Sequence, residues 1–360
     1  MPSFPWDALS GATQRATAYP GGIVDLSVGT PVDSVPRLIQ DALAAGADSP
    51  GYPATYGTAA LREAAAGWLA RDHGVIVSPD AVLPVIGTKE LVAWLPTLLG
   101  CGPGDAVIHP ELAYPTYDVG ARLAGARPVR AGEPAGGDDE HVRLVWLNSP
   151  ANPTGEVLPA GALRDAVAAA RERGAVLASD ECYIGLGWDA QPLSVLHPSV
   201  SGASHDGLLA VHSLSKRSNL AGYRAGFVTG DPALVAALLE TRKHAGMIVP
   251  GPVQAAMTVA LNDDGHARLQ RERYAARRAR LRPALEAAGW QVSHSQAGLY
   301  LWGQHPGYDG WGSVEVLSGI GILVAPGDIY GPSGTGHIRV ALTATDERIE
   351  AAAKRLAALA

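Results

Sequence analysis

From residue 82 to residue 228 short strand-like runs alternate with polar turns and helical patterns. The runs fall at 82–86, 106–108, 127–130, 144–147, 175–179, 208–211 and 225–228. Most are apolar throughout, as strands buried on both faces are, and strands alternating with helices build βαβ units around a mostly parallel sheet. In open sheets of this kind ligands gather beyond the C-terminal ends of the strands. The residues that follow each run are therefore where chemistry is expected.

Four of those ends stand out. The run at 82–86 leaves through Gly87-Thr88-Lys89, a turn and helix start whose free amides suit an anion, with Thr88 expected as the N-cap. The run at 144–147 enters Asn148-Ser149-Pro150-Ala151-Asn152-Pro153-Thr154-Gly155, where prolines fix the backbone direction and amide side chains are presented. The run at 175–179 ends in Asp180-Glu181-Cys182-Tyr183, and a carboxylate at the end of a buried strand is costly unless it is paired. The run at 208–211 ends in His212-Ser213-Leu214-Ser215-Lys216, with Arg224 eight residues after the lysine. Only four of the 28 basic residues are lysines, namely Lys89, Lys216, Lys243 and Lys354. A guanidinium supplies a plain positive charge but cannot replace an amine that must lose its proton and attack a carbonyl, which singles out Lys216. Farther along, Arg339 inside the apolar run 338–342 asks for an anionic partner.

Taken singly, each feature has a plainer reading: a capped helix, loop serines, a structural ion pair. Together, a strand-end aspartate, a lysine flanked by hydroxyls, an arginine and a glycine-led helix start describe a site for a phosphate-bearing aldehyde cofactor. Beyond residue 240 the order of elements changes to helices at 253–262 and 266–288, strands at 299–302, 322–324 and 338–342, and a last helix capped by Thr345. Arginines crowd the helix at 266–288, but Glu272 and Glu286 interleave with them and a solvated face is expected.

A net charge of -7 with no basic run argues against nucleic-acid and membrane-surface partners. Cys101 and Cys182 have neither metal-ligand nor disulfide-framework spacing, and the first residues lack a secretion-signal pattern, so a cytoplasmic protein without a metal is expected. No apolar stretch approaches the ~20 residues of a membrane span.

The set Asn152-Pro153-Thr154-Gly155, Asp180-x-x-Tyr183, Ser213-x-Ser215-Lys216 with Arg224, and Arg339 resembles the fold-type-I pyridoxal 5'-phosphate (PLP) aminotransferases of class I/II, in that family's order and over most of the chain. The resemblance implies a large domain at 46–240, with a mostly parallel seven-stranded-type sheet flanked by helices. A smaller α+β domain is implied from 1–45 and 241–360. It implies that Lys216 forms a Schiff base with PLP and later moves the substrate proton, and that Asp180 pairs with the ring nitrogen. Asn152 and Tyr183 would bond the phenolic oxygen, and Tyr114 would stack on the ring. Gly87, Thr88, Lys89, Ser213, Ser215 and Arg224 would hold the phosphate. Arg339, Asn152 and Gly29 would receive the substrate carboxylate. Tyr52 would reach the phosphate of a neighbouring subunit, implying a homodimer with shared sites. Substrates would be small amino acids and 2-oxo acids.

Whole segments, including Asp25-Leu26-Ser27-Val28-Gly29-Thr30-Pro31, Gly51-Tyr52-Pro53-Ala54-Thr55 and Val324-Ala325-Pro326-Gly327-Asp328, are similar to the N-succinyldiaminopimelate aminotransferases of lysine biosynthesis. That similarity implies transfer between glutamate/2-oxoglutarate and N-succinyl-2-amino-6-oxopimelate, whose distal carboxylates want cations such as Lys89, Arg37 or Arg242. An aromatic- or aspartate-type aminotransferase and a β-C–S lyase share the same cofactor residues. Ser213-x-x-Lys216 also matches the nucleophile motif of penicillin-binding hydrolases, but no Lys-Thr-Gly accompanies it. A regulator built on an aminotransferase-like domain would need a basic DNA-binding segment, and none is present.

Overall fold

A computed structural model of the chain describes residues 5–133, 136 and 141–359. Most of the stretch 132–140, whose polar, glycine-rich sequence reads as a surface loop, lies outside them. The seven runs form one seven-stranded sheet in the order Val82–Ile86, Ala225–Gly230, Leu208–Ser213, Val176–Asp180, Val142–Asn148, Ala106–Pro110, Arg127–Ala131. Only Ala225–Gly230 runs against its neighbours. Parallel register sets Asn148 opposite Asp180 and Asp180 opposite Val211. Three strand ends thus reach the same edge of the sheet, and the loops after them share one space.

A four-stranded antiparallel sheet, in the order Ala325–Pro326, His337–Ala341, Tyr300–Gln304, Gln291–Ser293, forms the smaller unit. Val24–Asp25 pairs in parallel with Ile322–Leu323, and the Ala341 amide donates to the Leu26 carbonyl at 2.8 Å. The N-terminal segment is thereby laid beside the strand that carries Arg339.

Two helices sit differently from the expected division of the chain. Arg37–Ala45 and Gly251–Asn262 bury Ile39, Ala256 and Met257 in the same apolar cluster as Leu177, Leu208 and Phe227 of the large sheet. We therefore propose that both belong to the larger unit, because their apolar faces have nowhere else to go. Gly310–Gly319 was not expected as a helix, since three glycines make it a poor helix former. The Asp309 carboxylate caps it by accepting from the Gly312 amide at 2.7 Å, and burial of Val314 and Leu317 outweighs the weak propensity.

Thr88 is not the cap expected of it. Gly87 holds that position at φ +71°, Thr88 is the first helical residue, and its hydroxyl receives the Cys182 thiol at 3.4 Å. The helix Thr88–Leu98 is anchored by Glu90, which accepts from both terminal nitrogens of the fully buried Arg242 at 3.0 Å. A buried guanidinium that loses its carboxylate is left uncompensated, so Glu90→Ala is expected to cost about 3 kcal/mol in urea unfolding. Loss of under about 1 kcal/mol would mean that this pair does not hold the helix.

Candidate active site

Lys216 lies in the one-turn helix Leu214–Arg217, which Ser213 caps by accepting from the Ser215 amide at 3.1 Å. The lysine amine donates to the Gly29 carbonyl. Burial holds that amine below the usual lysine range, with the Arg339 and Arg224 charges pushing the same way. The chain then turns through Arg224 at φ +56°, a conformation few non-glycine residues adopt. This turn lays the guanidinium against the backbone of Gly87, where any Cβ would collide with it. The positive φ at Gly87 calls for a glycine at the head of the Thr88–Leu98 helix, and Arg224 lies beside that helix start, a donor set suited to a phosphate.

Asp180 is 7% exposed and accepts from two neutral donors, the Tyr117 hydroxyl at 2.9 Å and the Cys182 amide at 3.1 Å. Burial raises its carboxyl above the ordinary range, and the Cys182 thiol, the Tyr117 hydroxyl and the Cys182 amide lower it only in part. Asn148 braces the same edge: its amide nitrogen donates to the Asp180 carbonyl at 2.9 Å and its oxygen accepts from the Asn152 amide at 2.7 Å. The Tyr114 ring stands edge-on to Tyr117, with centroids 6.1 Å apart, and the Lys89 amine lies 6.0 Å from the Tyr114 centroid.

Arg339 is 2% exposed and also has neutral partners: the Asn152 side-chain oxygen at 2.8 Å and the Ser27 carbonyl at 2.7 Å. Among the described residues its Nε has no hydrogen-bond partner. The guanidinium lies 3.9 Å from the centroid of Tyr300, and the Tyr300 hydroxyl sits 3.1 Å from that of Tyr183. One continuous set of contacts therefore runs Asn152–Arg339–Tyr300–Tyr183, and from Tyr300 through Gly29 to Lys216.

Of the expected residues, Tyr52 is not brought into this cluster; its side chain is fully exposed. Two of the cations considered for distal carboxylates are committed elsewhere, Arg242 to Glu90 and Arg37 to Asp41 at 2.9 Å on the surface. Sequence reasoning missed Tyr117 and Tyr300. The first was legible as a second tyrosine three residues after Tyr114, whereas Tyr300 reads only as another apolar residue of its strand.

Directly after Asp180, Glu181 is fully enclosed. One of its oxygens accepts from the Val195 amide at 2.8 Å, and the other lies 3.6 Å from Nε2 of His212. Burial pushes the Glu181 carboxyl from 4.5 up to about 7 and holds His212 neutral. The folded state then binds the Glu181 proton more tightly than the unfolded chain does, so this stabilising contribution is complete below pH 4.5 and is lost as pH rises through 7. Relative to Glu181→Gln, the wild-type protein is expected to lose up to about 3 kcal/mol between pH 5 and pH 8 in urea unfolding. A pH-independent difference between the two would contradict this.

A family model described as aminotransferase class I and II matches residues 22–356. The 4-dedimethylamino-4-oxo-anhydrotetracycline transaminase OxyQ of Streptomyces rimosus is 60% identical over 356 residues, covering 99% of each chain. A probable aminotransferase of Mycobacterium tuberculosis is 63% identical over 357 residues, covering 99% of this chain and 85% of that one. Among solved structures, a probable N-succinyldiaminopimelate aminotransferase of Thermus thermophilus superposes with a TM-score of 0.88 at 28% identity, covering 99% of this chain and 100% of that one. Enzymes of the matched family depend on PLP and act on amino acids and oxo acids. On these matches and this architecture, the chain belongs to the class I and II aminotransferases, PLP enzymes of fold type I.

Proposed function

We propose that this cluster carries out amino transfer with Lys216 as the catalytic residue and a 2-amino acid such as glutamate as the donor. One observation carries the reading: Asp180 and Arg339 are buried groups of opposite charge, and the partners of each are neutral. Each is matched only when an outside charge arrives, a protonated ring nitrogen for Asp180 and a substrate carboxylate for Arg339. PLP fits the first demand, and the Gly87-led helix start with Arg224 beside it supplies donors suited to its phosphate. When bound, the cofactor supplies an exchangeable aldehyde and a ring that draws electrons from the substrate Cα.

The chain's own residues would do the rest. Asp180 keeps the ring nitrogen protonated, and Tyr117 and the Cys182 amide hold that carboxylate in place. Tyr183 and the Asn152 amide nitrogen donate to the phenolic oxygen, while the Asn152 oxygen orients Arg339. Tyr114 covers one ring face. Gly87, Thr88, Lys89, Ser213, Ser215 and Arg224 hold the phosphate. Arg339 grips the substrate carboxylate beside Gly29, and Lys216, with its amine biased toward the neutral form, takes the proton from Cα and returns it. A fully exposed tyrosine at position 52 suits a residue that completes the site of a partner subunit, so we also propose a homodimer.

For the acceptor, the segment similarities and the Thermus neighbour support N-succinyl-2-amino-6-oxopimelate. The 60% identity with OxyQ supports a second reading, a cyclic ketone of the kind named for that enzyme. With Arg242 and Arg37 committed to carboxylates of the chain, distal cations do not by themselves favour the doubly anionic acceptor. The two readings separate in a half-reaction panel. Protein first converted to its amino form with glutamate is offered each acceptor, and return of the starting cofactor spectrum is followed. Recovery with the oxopimelate alone supports the first reading, and recovery with the cyclic ketone alone overturns it in favour of the second. Lys216→Ala is expected to abolish turnover; wild-type turnover in that variant would overturn the assignment of Lys216.

A further inference from the structure

Tyr300 is placed where two parts of the site meet, and no role has yet been assigned to it. It is 4% exposed, in the strand Tyr300–Gln304, which pairs with the strand carrying Arg339. One face of its ring lies 3.9 Å from the Arg339 guanidinium. Its hydroxyl sits 3.1 Å from the Tyr183 hydroxyl and against the backbone of Gly29, so closely that any Cβ at residue 29 would overlap it. Gly29 is also the residue whose carbonyl receives the Lys216 amine.

We propose that Tyr300 is a positioning residue of the transamination site, whose hydroxyl donates to Tyr183 and makes Tyr183 a stronger donor toward the phenolic oxygen of the bound cofactor. The inference rests on the reading of Tyr183 given above. Two phenols within hydrogen-bond distance can be donor and acceptor in either order. Once Tyr183 turns its proton to an anionic oxygen, its own oxygen is left to accept, and Tyr300 is the neighbour placed to donate. A donor that itself accepts a hydrogen bond is polarised and donates more strongly. Burial already raises Tyr183 well above the usual phenol range, so Tyr183 stays protonated as a donor. The other groups facing this pair are Arg339, Lys216, Cys182, Tyr274 and Tyr330. Four of them, Lys216, Arg339, Tyr274 and Tyr330, also feel Tyr300 directly, and the double variant below separates that effect from one relayed through Tyr183. The stacked ring face means that the same side chain supports Arg339, so the carboxylate clamp and the phenolic-oxygen donor share one support.

A hydrogen bond to the phenolic oxygen stabilises its deprotonated charge and competes with the proton held at the Lys216 linkage. Weakening that bond lets the linkage keep its proton to higher pH. The test is a spectroscopic pH titration of the PLP-loaded protein without substrate, for wild type, Tyr300→Phe, Tyr183→Phe and the double variant. Phenylalanine keeps the ring packing in both places. Tyr300→Phe is expected to raise the apparent pKa by roughly half a unit, in a direction set by lost polarisation. Tyr183→Phe is expected to raise it further, and the double variant to match Tyr183→Phe alone, because Tyr300 acts only through Tyr183. If Tyr183→Phe shifts the titration and Tyr300→Phe does not, the inference is overturned while the reading of Tyr183 stands. If neither variant shifts it, both fall. Additive shifts would also overturn the inference, since Tyr300 would then act on the cofactor without Tyr183.

Discussion

Burying the Asp180 carboxylate beside neutral donors alone costs free energy of order several kcal/mol, and much of the molecule can be read as the means of bearing that cost. The carboxylate ends a central strand of a seven-stranded sheet, so it cannot swing out to water. Tyr117 stacks on Trp146 with centroids 5.0 Å apart and aims its hydroxyl at Asp180. Asn148, one strand over at the same register, ties the Asp180 backbone to the turn that carries Asn152. Arg339 reproduces the situation with the opposite sign. A site that keeps two such groups apart from counter-ions is organised for a ligand that brings both charges.

The segment 24–36 joins the two halves of this arrangement. At its start it is hydrogen-bonded into the small unit, where the Leu26 amide donates to the Leu323 carbonyl at 2.8 Å. Farther along, Asp33 accepts from Arg277 at 2.6 and 2.8 Å and from Gln270 at 2.7 Å. Asn219, just beyond Lys216, donates both to Gln270 and to the Ser34 carbonyl. Between these anchors Gly29 is held against Lys216 and Tyr300. The positions of the lysine amine and of the carboxylate clamp therefore depend on one short stretch of chain fixed at both ends.

The features that set the sheet were legible because burial on both faces leaves a plain signature, and the strand-end residues stood out because charge and lysine are rare in apolar runs. What was less legible depended on tertiary contacts. Thr88 carries a good capping side chain, but the positive φ at Gly87 moves the cap back one residue and leaves that hydroxyl to Cys182. Helices 37–45 and 251–262 have ordinary amphipathic patterns, and no pattern says which core will take the apolar face. Tyr300 has the same look as its core neighbours Leu299, Leu301 and Trp302; only the approach of Tyr183 and Arg339 distinguishes it. Arg242 reads in the sequence as a free cation, but in the fold Glu90 lies against it.

Because the chain has four lysines, its central claim can be tested chemically with little ambiguity. Borohydride reduction of the PLP-loaded protein fixes the cofactor to whichever lysine holds it, and peptide mass mapping then reads the position. One phosphopyridoxyl adduct is expected, on the peptide containing Lys216. An adduct on Lys89, Lys243 or Lys354, with Lys216 unmodified, would contradict it.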